Sequence, residues 1–435
     1  MQFRSTFSHD QYVSFKDAVL RCLPTDGGLY VPSQVMDLRQ FFLYMDEETS
    51  YPELVATVAP VLLQGDLNPF SAARVAESAF DFEPELVQLD DHFSVLKLYN
   101  GPSGTFKDFG ISFLAAVLEE LLKNQSHAMI LSAVRGGTGV SMGRAFHGRR
   151  GLSLVMLYPS GPIRGLNPAS FVPNGGNIIP IQVKGTMDDC QRLVSETIND
   201  RPFAERHCIT SANTINPGRL LPQAFYYLYT FIKIKKRLSG DLFFSVPSGN
   251  FGNLMSGLYA WKAGLPVSGF IAAMNANNAF GDFIRGRKFE ARPLQQTNSP
   301  ALDVSVPSNY ARLNSFYEEA PAVMRNMVFP ASCDNGATIK AMEKAWKKYQ
   351  VILDPHAAVA FDAAENFVAG GKISGAHVVI LATGHPAIEA GRVETAIGQK
   401  LPLPAKLGLL RKEVDPIAVI EPQLDALEGA IASCF

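Results

Sequence analysis

The sequence predicts an α/β fold with largely parallel sheets, preceded by a mostly helical N-terminal stretch. Three observations carry that prediction. From residue 93 onward, short apolar runs alternate with helical patterns, as strands joined by crossover helices do. The chain has 435 residues, 47% apolar and 18% charged, an ordinary globular profile with length for about two or three domains. Two of the apolar runs lead into glycine-rich turns that open helices.

In chain order, residues 1–92 are expected to form a helical N-terminal domain. Helical stretches follow Val13-Ser14 and Tyr51-Pro52-Glu53, with the turn Asp26-Gly27-Gly28-Leu29-Tyr30 between them. Strands are predicted over 93–98, 128–133, 152–157, 178–182, 241–246, 268–273 and 377–382. Residues 109–123 and 225–237 read as helices; the aromatics of the second belong in the core and its basic end suits a helix C-terminus. Residues 281–312 are expected to be a long ordered loop, a kind of segment that often carries function. The expected division is a smaller α/β domain over 93–220 and a larger one over 221–435.

Net charge is −2, which gives no general affinity for nucleic acid or anionic lipid. The five cysteines (Cys22, Cys190, Cys208, Cys333, Cys434) are odd in number and lack metal-ligand or redox-motif spacing. They read as reduced thiols of a cytoplasmic protein with no metal site. The first ten residues show no signal-peptide core, and no apolar run approaches the length of a membrane span.

Lys107 is the leading candidate for chemistry. It ends the turn Asn100-Gly-Pro-Ser-Gly-Thr-Phe-Lys107 and opens a predicted helix. The positive end of a helix disfavours a second cation, so a lysine there is a candidate neutral amine and Schiff-base former. The turn Ser248-Gly249-Asn250-Phe251-Gly252-Asn253 precedes another helix; converging N–H groups there suit a phosphate, with Ser248, Asn250 and Asn253 as added donors. A second turn, Arg135-Gly136-Gly137-Thr138-Gly139, suits a phosphate or a carboxylate. Its glycines approach a dinucleotide-binding spacing, but the next strand ends Met156-Leu157-Tyr158-Pro159-Ser160 without the acid that a ribose requires. One lysine and two anion cradles on an α/β frame point to pyridoxal phosphate, with the aldehyde on the lysine and the phosphate on one cradle.

The motifs also resemble a known family. The segment from Tyr99 to Gly110 around Lys107 resembles the cofactor-lysine motif of threonine synthases. The segment from Val246 to Asn253 is similar to their phosphate loop. Further matches are the segment Ser211 to Leu221, Ala301 to Ser305, Asp354 to Val359, and Thr383-Gly384-His385-Pro386-Ala387. The N-terminal segments Val13 to Val19 and Asp26 to Pro32 resemble that family's extra domain. The resemblance covers nearly the whole chain in order. It implies a fold type II pyridoxal-phosphate enzyme, like the tryptophan synthase β subunit, with the cofactor between two α/β domains. It implies Lys107 as the lysine that holds pyridoxal 5'-phosphate, Gly249 to Asn253 as the phosphate site, and Thr383 facing the pyridine nitrogen. The implied substrate is O-phosphohomoserine, a small phosphorylated amino acid. Phosphate leaves from its γ carbon and water adds at its β carbon, giving L-threonine. Arg219, with Ser211, Asn213 and Thr214, matches the positions that clamp the substrate phosphate. His356 and His385 are expected to hold turns. Nothing implies a nucleic-acid or membrane partner, and a monomer or homodimer is expected.

One loop departs from the family pattern. Where the family reads Ser-Gly-Asp-Thr-Gly, this chain has Arg135-Gly136-Gly137-Thr138-Gly139, a change of about +2 in formal charge. In the family this loop touches the substrate carboxylate. Three readings follow: a threonine synthase whose Arg135 points to solvent, a paralogue for another phosphorylated or acidic amino acid, or a cofactor-binding protein with poor turnover. A smaller departure is Ile388, where the family commonly has lysine.

Overall fold

The N-terminal stretch builds a small sheet before its longer helices. β1 (Gln2–Ser5) pairs antiparallel with both β2 (Val13–Ser14) and β3 (Tyr30–Pro32), burying Phe3, Tyr30 and Val31. Sequence reading missed this sheet because strands of two to four residues are too short to display a period of two. The helices Phe15–Arg21, Tyr51–Leu62 and Pro69–Ala79 begin at Ser14, Ser50 and Asn68, each of which accepts a first-turn backbone N–H. The computed structural model of the chain describes residues 1–34, 36–123, 127–371 and 375–434.

The first half of the remaining chain carries β4 (Glu85–Gln88), β5 (Phe93–Lys97), β6 (Ala128–Ala133), β7 (Leu152–Tyr158), β8 (Ile163–Arg164), β9 (Ile178–Val183) and β10 (Ile209–Thr210). The second half adds β11 (Leu242–Pro247), β12 (Gly269–Met274), β13 (Val328–Ser332), β14 (His377–Ala382), β15 (Glu413–Val414) and β16 (Ala418–Ile420). Every predicted apolar run lies on one of these strands. β6, β7, β11 and β12 are buried at every residue, as strands covered on both faces must be.

Two sheets position the site. The six-stranded sheet runs β13-β12-β11-β14-β5-β4 and is parallel except at its edge strand β4. The five-stranded sheet runs β10-β6-β7-β9-β16 and is parallel throughout. The sheets do not follow the expected division of the chain at residue 220. β5, from the first half, pairs with β14, while β16, near the C-terminus, pairs with β9. The reason is topological: a parallel neighbour is reached through a crossover, which lets the chain leave one sheet and return to it later. The long loop expected over 281–312 is also corrected. The helix Ala279–Ile284 enters it, Pro300–Leu302 forms a short helical turn, and the helix Tyr310–Glu319 begins inside it. Asn275 pins the middle through Nδ2, which donates to Thr297 Oγ1 at 2.8 Å and Asp303 Oδ1 at 2.8 Å.

The N-terminal region is bonded to the catalytic frame through Arg312, which is fully buried. Its Nε donates to Tyr30 O at 3.0 Å on β3, and its terminal nitrogens donate to Thr214 O at 2.9 Å, Ile215 O at 2.5 Å and Asn309 Oδ1 at 2.7 Å. No carboxylate pairs with it among the described residues. Four oxygens from three segments therefore share one guanidinium. No helix among the described residues is long and apolar enough to cross a membrane. Replacing Arg312 by Met is expected to lower folding stability by about 3 kcal/mol, because it strands these buried acceptors. Urea denaturation of wild type and R312M measures this, and matching midpoints and slopes for the two would refute it.

Candidate active site

Three neighbouring parallel strands deliver the site from their C-terminal ends, where open α/β sheets place ligands. β5 leads to the Lys107 turn, β14 to Thr383, and β11 to the glycine-rich cradle. Lys107 is the first residue of the helix Lys107–Leu121 and keeps partial access to solvent. The turn before it is clasped by the loop after β14: Phe106 N donates to Thr383 O at 2.9 Å, and His385 N donates to Gly104 O at 2.8 Å. Thr383 is thereby buried beside the lysine. The Lys107 amine is lowered from the usual lysine range to about 8, first by burial and then by the Arg219 charge, with Asp108 acting against both. Sequence reading expected a neutral amine from the helix dipole. The amine is indeed shifted that way, with desolvation as the leading cause.

The cradle is built on strain and close approach. Phe251 takes a left-handed backbone, φ 58° and ψ 5°, at the start of the helix Gly252–Lys262. No hydrogen bond among the described residues uses the backbone N–H groups of Gly249, Asn250, Phe251, Gly252 or Asn253. Gly249 lies against the 301–302 backbone; a Cβ there would come within 2.9 Å of Ala301 O and 3.2 Å of Leu302 Cα. That backbone is held in turn by His356, whose Nε2 accepts Ala301 N–H at 3.1 Å while Nδ1 meets Asp354 Oδ2 at 2.5 Å. Asn250 accepts Ser308 N–H at 3.0 Å. Asn253 Oδ1 accepts Tyr226 and Tyr227 hydroxyls at 2.7 and 2.6 Å, leaving its buried Nδ2 without a partner. Ser248 is corrected as an added donor, since its hydroxyl donates to Val246 O at 2.8 Å and its N–H to Ala273 O at 2.8 Å. Its role is to shape the turn.

β10 and β6 bring the remaining predicted residues together. Ser132, on β6, lies 3.3 Å from the Ser211 hydroxyl and accepts Ala212 N–H at 3.0 Å. Arg219 follows in the helix Pro217–Leu220 and is buried, with one terminal nitrogen donating to Ala212 O at 2.6 Å and its Nε unpartnered. Burial holds its pKa down to about 10. Asn213 Oδ1 is likewise buried without a partner. Thr214 borders the cradle: a Cβ on Gly252 would lie 3.4 Å from its methyl. The second turn opens the helix Gly137–Phe146, and Gly137 lies beside the Lys107 turn, where a Cβ would be 3.0 Å from Thr105 Cγ2. Gly139 packs under Tyr158. Gly136 and Arg135 are exposed, and the Arg135 side chain makes no hydrogen bond or ion pair among the described residues. Thr138 is half-buried.

Sequence reading missed Asp108 and Arg312. Asp108 is fully buried, accepts Ser141 Oγ at 2.6 Å and Ser103 N–H at 2.8 Å, and so ties the helix Gly137–Phe146 to the Lys107 turn. Burial raises its pKa to about 6. The signal available in sequence was its place beside Lys107. Arg312 gave none, being one arginine in an amphipathic helix.

The site fits a phosphorylated aldehyde. A lysine of lowered pKa and five unused backbone donors at a helix start follow β5 and β11, the two strands that flank β14, and Arg219 Nε, Asn213 Oδ1 and Asn253 Nδ2 are buried without partners. The comparisons agree. Residues 87–384 match the family described as pyridoxal-phosphate dependent enzyme, and residues 2–80 match the threonine synthase N terminus. The chain belongs to the pyridoxal-phosphate dependent enzymes, and pyridoxal 5'-phosphate is its cofactor. Threonine synthases of Serratia marcescens and Escherichia coli are 34% and 33% identical, each over 94% of this chain and 94% of their own length. The crystal structure of threonine synthase from Escherichia coli superposes with a TM-score of 0.87 at 29% identity, covering 100% of both chains. That of pyridoxal-phosphate-bound threonine synthase from Brucella melitensis gives 0.86 at 28%, covering 100% of this chain and 99% of that one. Within the class, this chain is a member of the threonine synthase family.

Two outcomes follow from the geometry. Capture of the aldehyde needs the neutral amine, so the rate at which apoenzyme regains its visible absorbance should rise with pH through about 8 and level off above it. A rate independent of pH across that range would contradict the lowered pKa. Gly249→Ala should weaken cofactor retention by about tenfold or more, because both clashing partners are backbone. Absorbance after exhaustive dialysis reports this, and full retention would show that the cradle yields.

Proposed function

We propose that this chain is a threonine synthase, converting O-phosphohomoserine and water to L-threonine and phosphate. The observation that carries this reading is Arg219. It is a buried guanidinium with an unpartnered Nε, it has no carboxylate partner among the described residues, and its charge reaches Lys107. A buried cation left in that state calls for an anionic ligand. The substrate phosphate supplies one.

Lys107 holds the cofactor, and the N–H groups of Gly249 to Asn253 hold its phosphate. Thr383 would stand beside the cofactor ring, and Ser248 shapes the turn beneath. When bound, pyridoxal phosphate serves as an electron sink for carbanions of an amino-acid substrate. The Lys107 amine would move protons at the substrate α and β carbons; a pKa lowered to about 8 suits an amine that must both take and return a proton. Arg219, Ser211, Asn213 and Thr214 hold the substrate phosphate as the γ C–O bond breaks, and water adds at the β carbon. The turn Gly136-Gly137-Thr138-Gly139 receives the substrate carboxylate at the start of its helix, with Arg135 as an outer cation. Asp108 keeps that helix in register with Lys107.

The exposure of Arg135 supports the usual substrate over another acidic one. A charge in water is screened and contributes about 1 kcal/mol or less, whereas a buried one contributes several. The enzyme acts on a small molecule as a monomer or homodimer, and five free cysteines suit a reducing cytoplasm.

Arg219→Met is expected to lower kcat/KM for O-phosphohomoserine by about a thousandfold, and Arg135→Ser by less than about tenfold. Phosphate release coupled to threonine formation measures both, with borohydride labelling of Lys107 confirming that each variant holds cofactor. Equal losses would put Arg135 in the substrate clamp, loss in neither would take Arg219 out of it, and no threonine from cofactor-loaded wild type would remove the proposed reaction.

A further inference from the structure

A cavity of about 160 Å³ lies away from the site, between the N-terminal sheet and the outer ends of two active-site helices. Val31 on β3, Leu221, Tyr259 and Phe316 give it an apolar lining. A space of that size takes a benzene-sized group. Arg4, Lys262 and Glu319 also line it. Glu319 accepts Arg4 at 2.9 Å through one oxygen and Lys262 at 2.5 Å through the other, so two cations share one carboxylate and a net positive charge remains. Lys262 also lies 4.1 Å above the Phe316 ring, which aims the ammonium along the apolar wall. A third observation is independent of the charges: the buried Tyr259 hydroxyl has no hydrogen-bond partner among the described residues.

The geometry points to a second ligand site in this cavity, for a carboxylate on a small apolar body. The apolar body fills the Val31, Leu221 and Phe316 wall, and the carboxylate meets Arg4 and Lys262. An α-amino acid adds an ammonium within reach of Glu319; a simple carboxylic acid does not. The walls connect this site to the chemistry. Lys262 ends the helix whose first turn is the cradle, Leu221 follows Arg219 by two residues, and Phe316 shares its helix with Arg312. The inference concerns binding and stands apart from the proposed reaction.

Calorimetric titration of the holoenzyme with L-leucine and with isocaproate, the same body without the amino group, tests it. Saturable binding of at least one is expected, undiminished when O-phosphohomoserine is present. Lys262→Gln should weaken it about tenfold with phosphate release unchanged. Val31→Phe, which fills the cavity, should abolish it. Glu319→Gln separates the two sources: loss confined to leucine identifies an amino-acid site, and equal behaviour identifies a carboxylate site. No saturable binding of either ligand to folded wild type overturns the inference. So does binding that Lys262→Gln and Val31→Phe both leave intact, or that the substrate displaces.

Discussion

A buried guanidinium, Arg219, with no carboxylate partner among the described residues, sets the terms of this active site. Its charge reaches Lys107 and helps to lower that amine, though burial is the larger cause. Two cations in one desolvated region repel each other and each forgoes hydration, an arrangement that only bound anions or loss of a proton relieves. The fold permits both. The Lys107 amine is lowered to about 8, and the cradle N–H groups and Arg219 Nε have no partner among the described residues. The opposing term is Asp108, fully buried yet held by Ser141 and Ser103, which moderates the shift and locks two helices together. The site is thus positively biased by construction, which suits a cofactor and a substrate that both carry phosphate.

Holding such a site requires rigid surroundings, and these come from hydrogen-bond networks that tie side chains to backbone. Arg312 bonds backbone from β3 and from the Ser211 to Arg219 region. It also reaches Asn309, which donates to Asn250 O at 3.0 Å and so touches the cradle. The Asp354–His356 pair steadies the 301–302 backbone behind Gly249. In each case one buried charged or polar side chain holds backbone groups from separate segments, so its loss costs more than one contact. The N-terminal domain is therefore part of the same framework as the cofactor site.

The departing turn, Arg135 to Gly139, acquires a physical meaning from this framework. Loss of an acid at position 137 leaves a glycine against Thr105, and the gained arginine stands in solvent. The change is electrostatically large on paper. Water screens most of the arginine's part, and the missing carboxylate leaves Asp108 as the acid that acts on Lys107. The balance of charge near the amine is shifted towards the positive, in the direction Arg219 already sets.

The sequence by itself determined the local chemistry. Glycine-rich turns after apolar runs can bind anions wherever they fold, because unused N–H groups and a helix start are local properties. So the strands, the turns after them and the helix starts at Lys107 and Gly252 were legible. Ser248 reads as an added donor, whereas its hydroxyl donates to Val246 O two residues back, a local bond that depends on the backbone angles of the turn and not on residue type. Only the folded chain decided that β5, β14 and β11 lie side by side, that β16 returns to β9, and that Arg219 is buried while Arg135 is not. Residue type and spacing are written in the chain, but burial and proximity arise from contacts between segments hundreds of residues apart, and those two quantities set every pKa and every unpaired donor on which the chemistry rests.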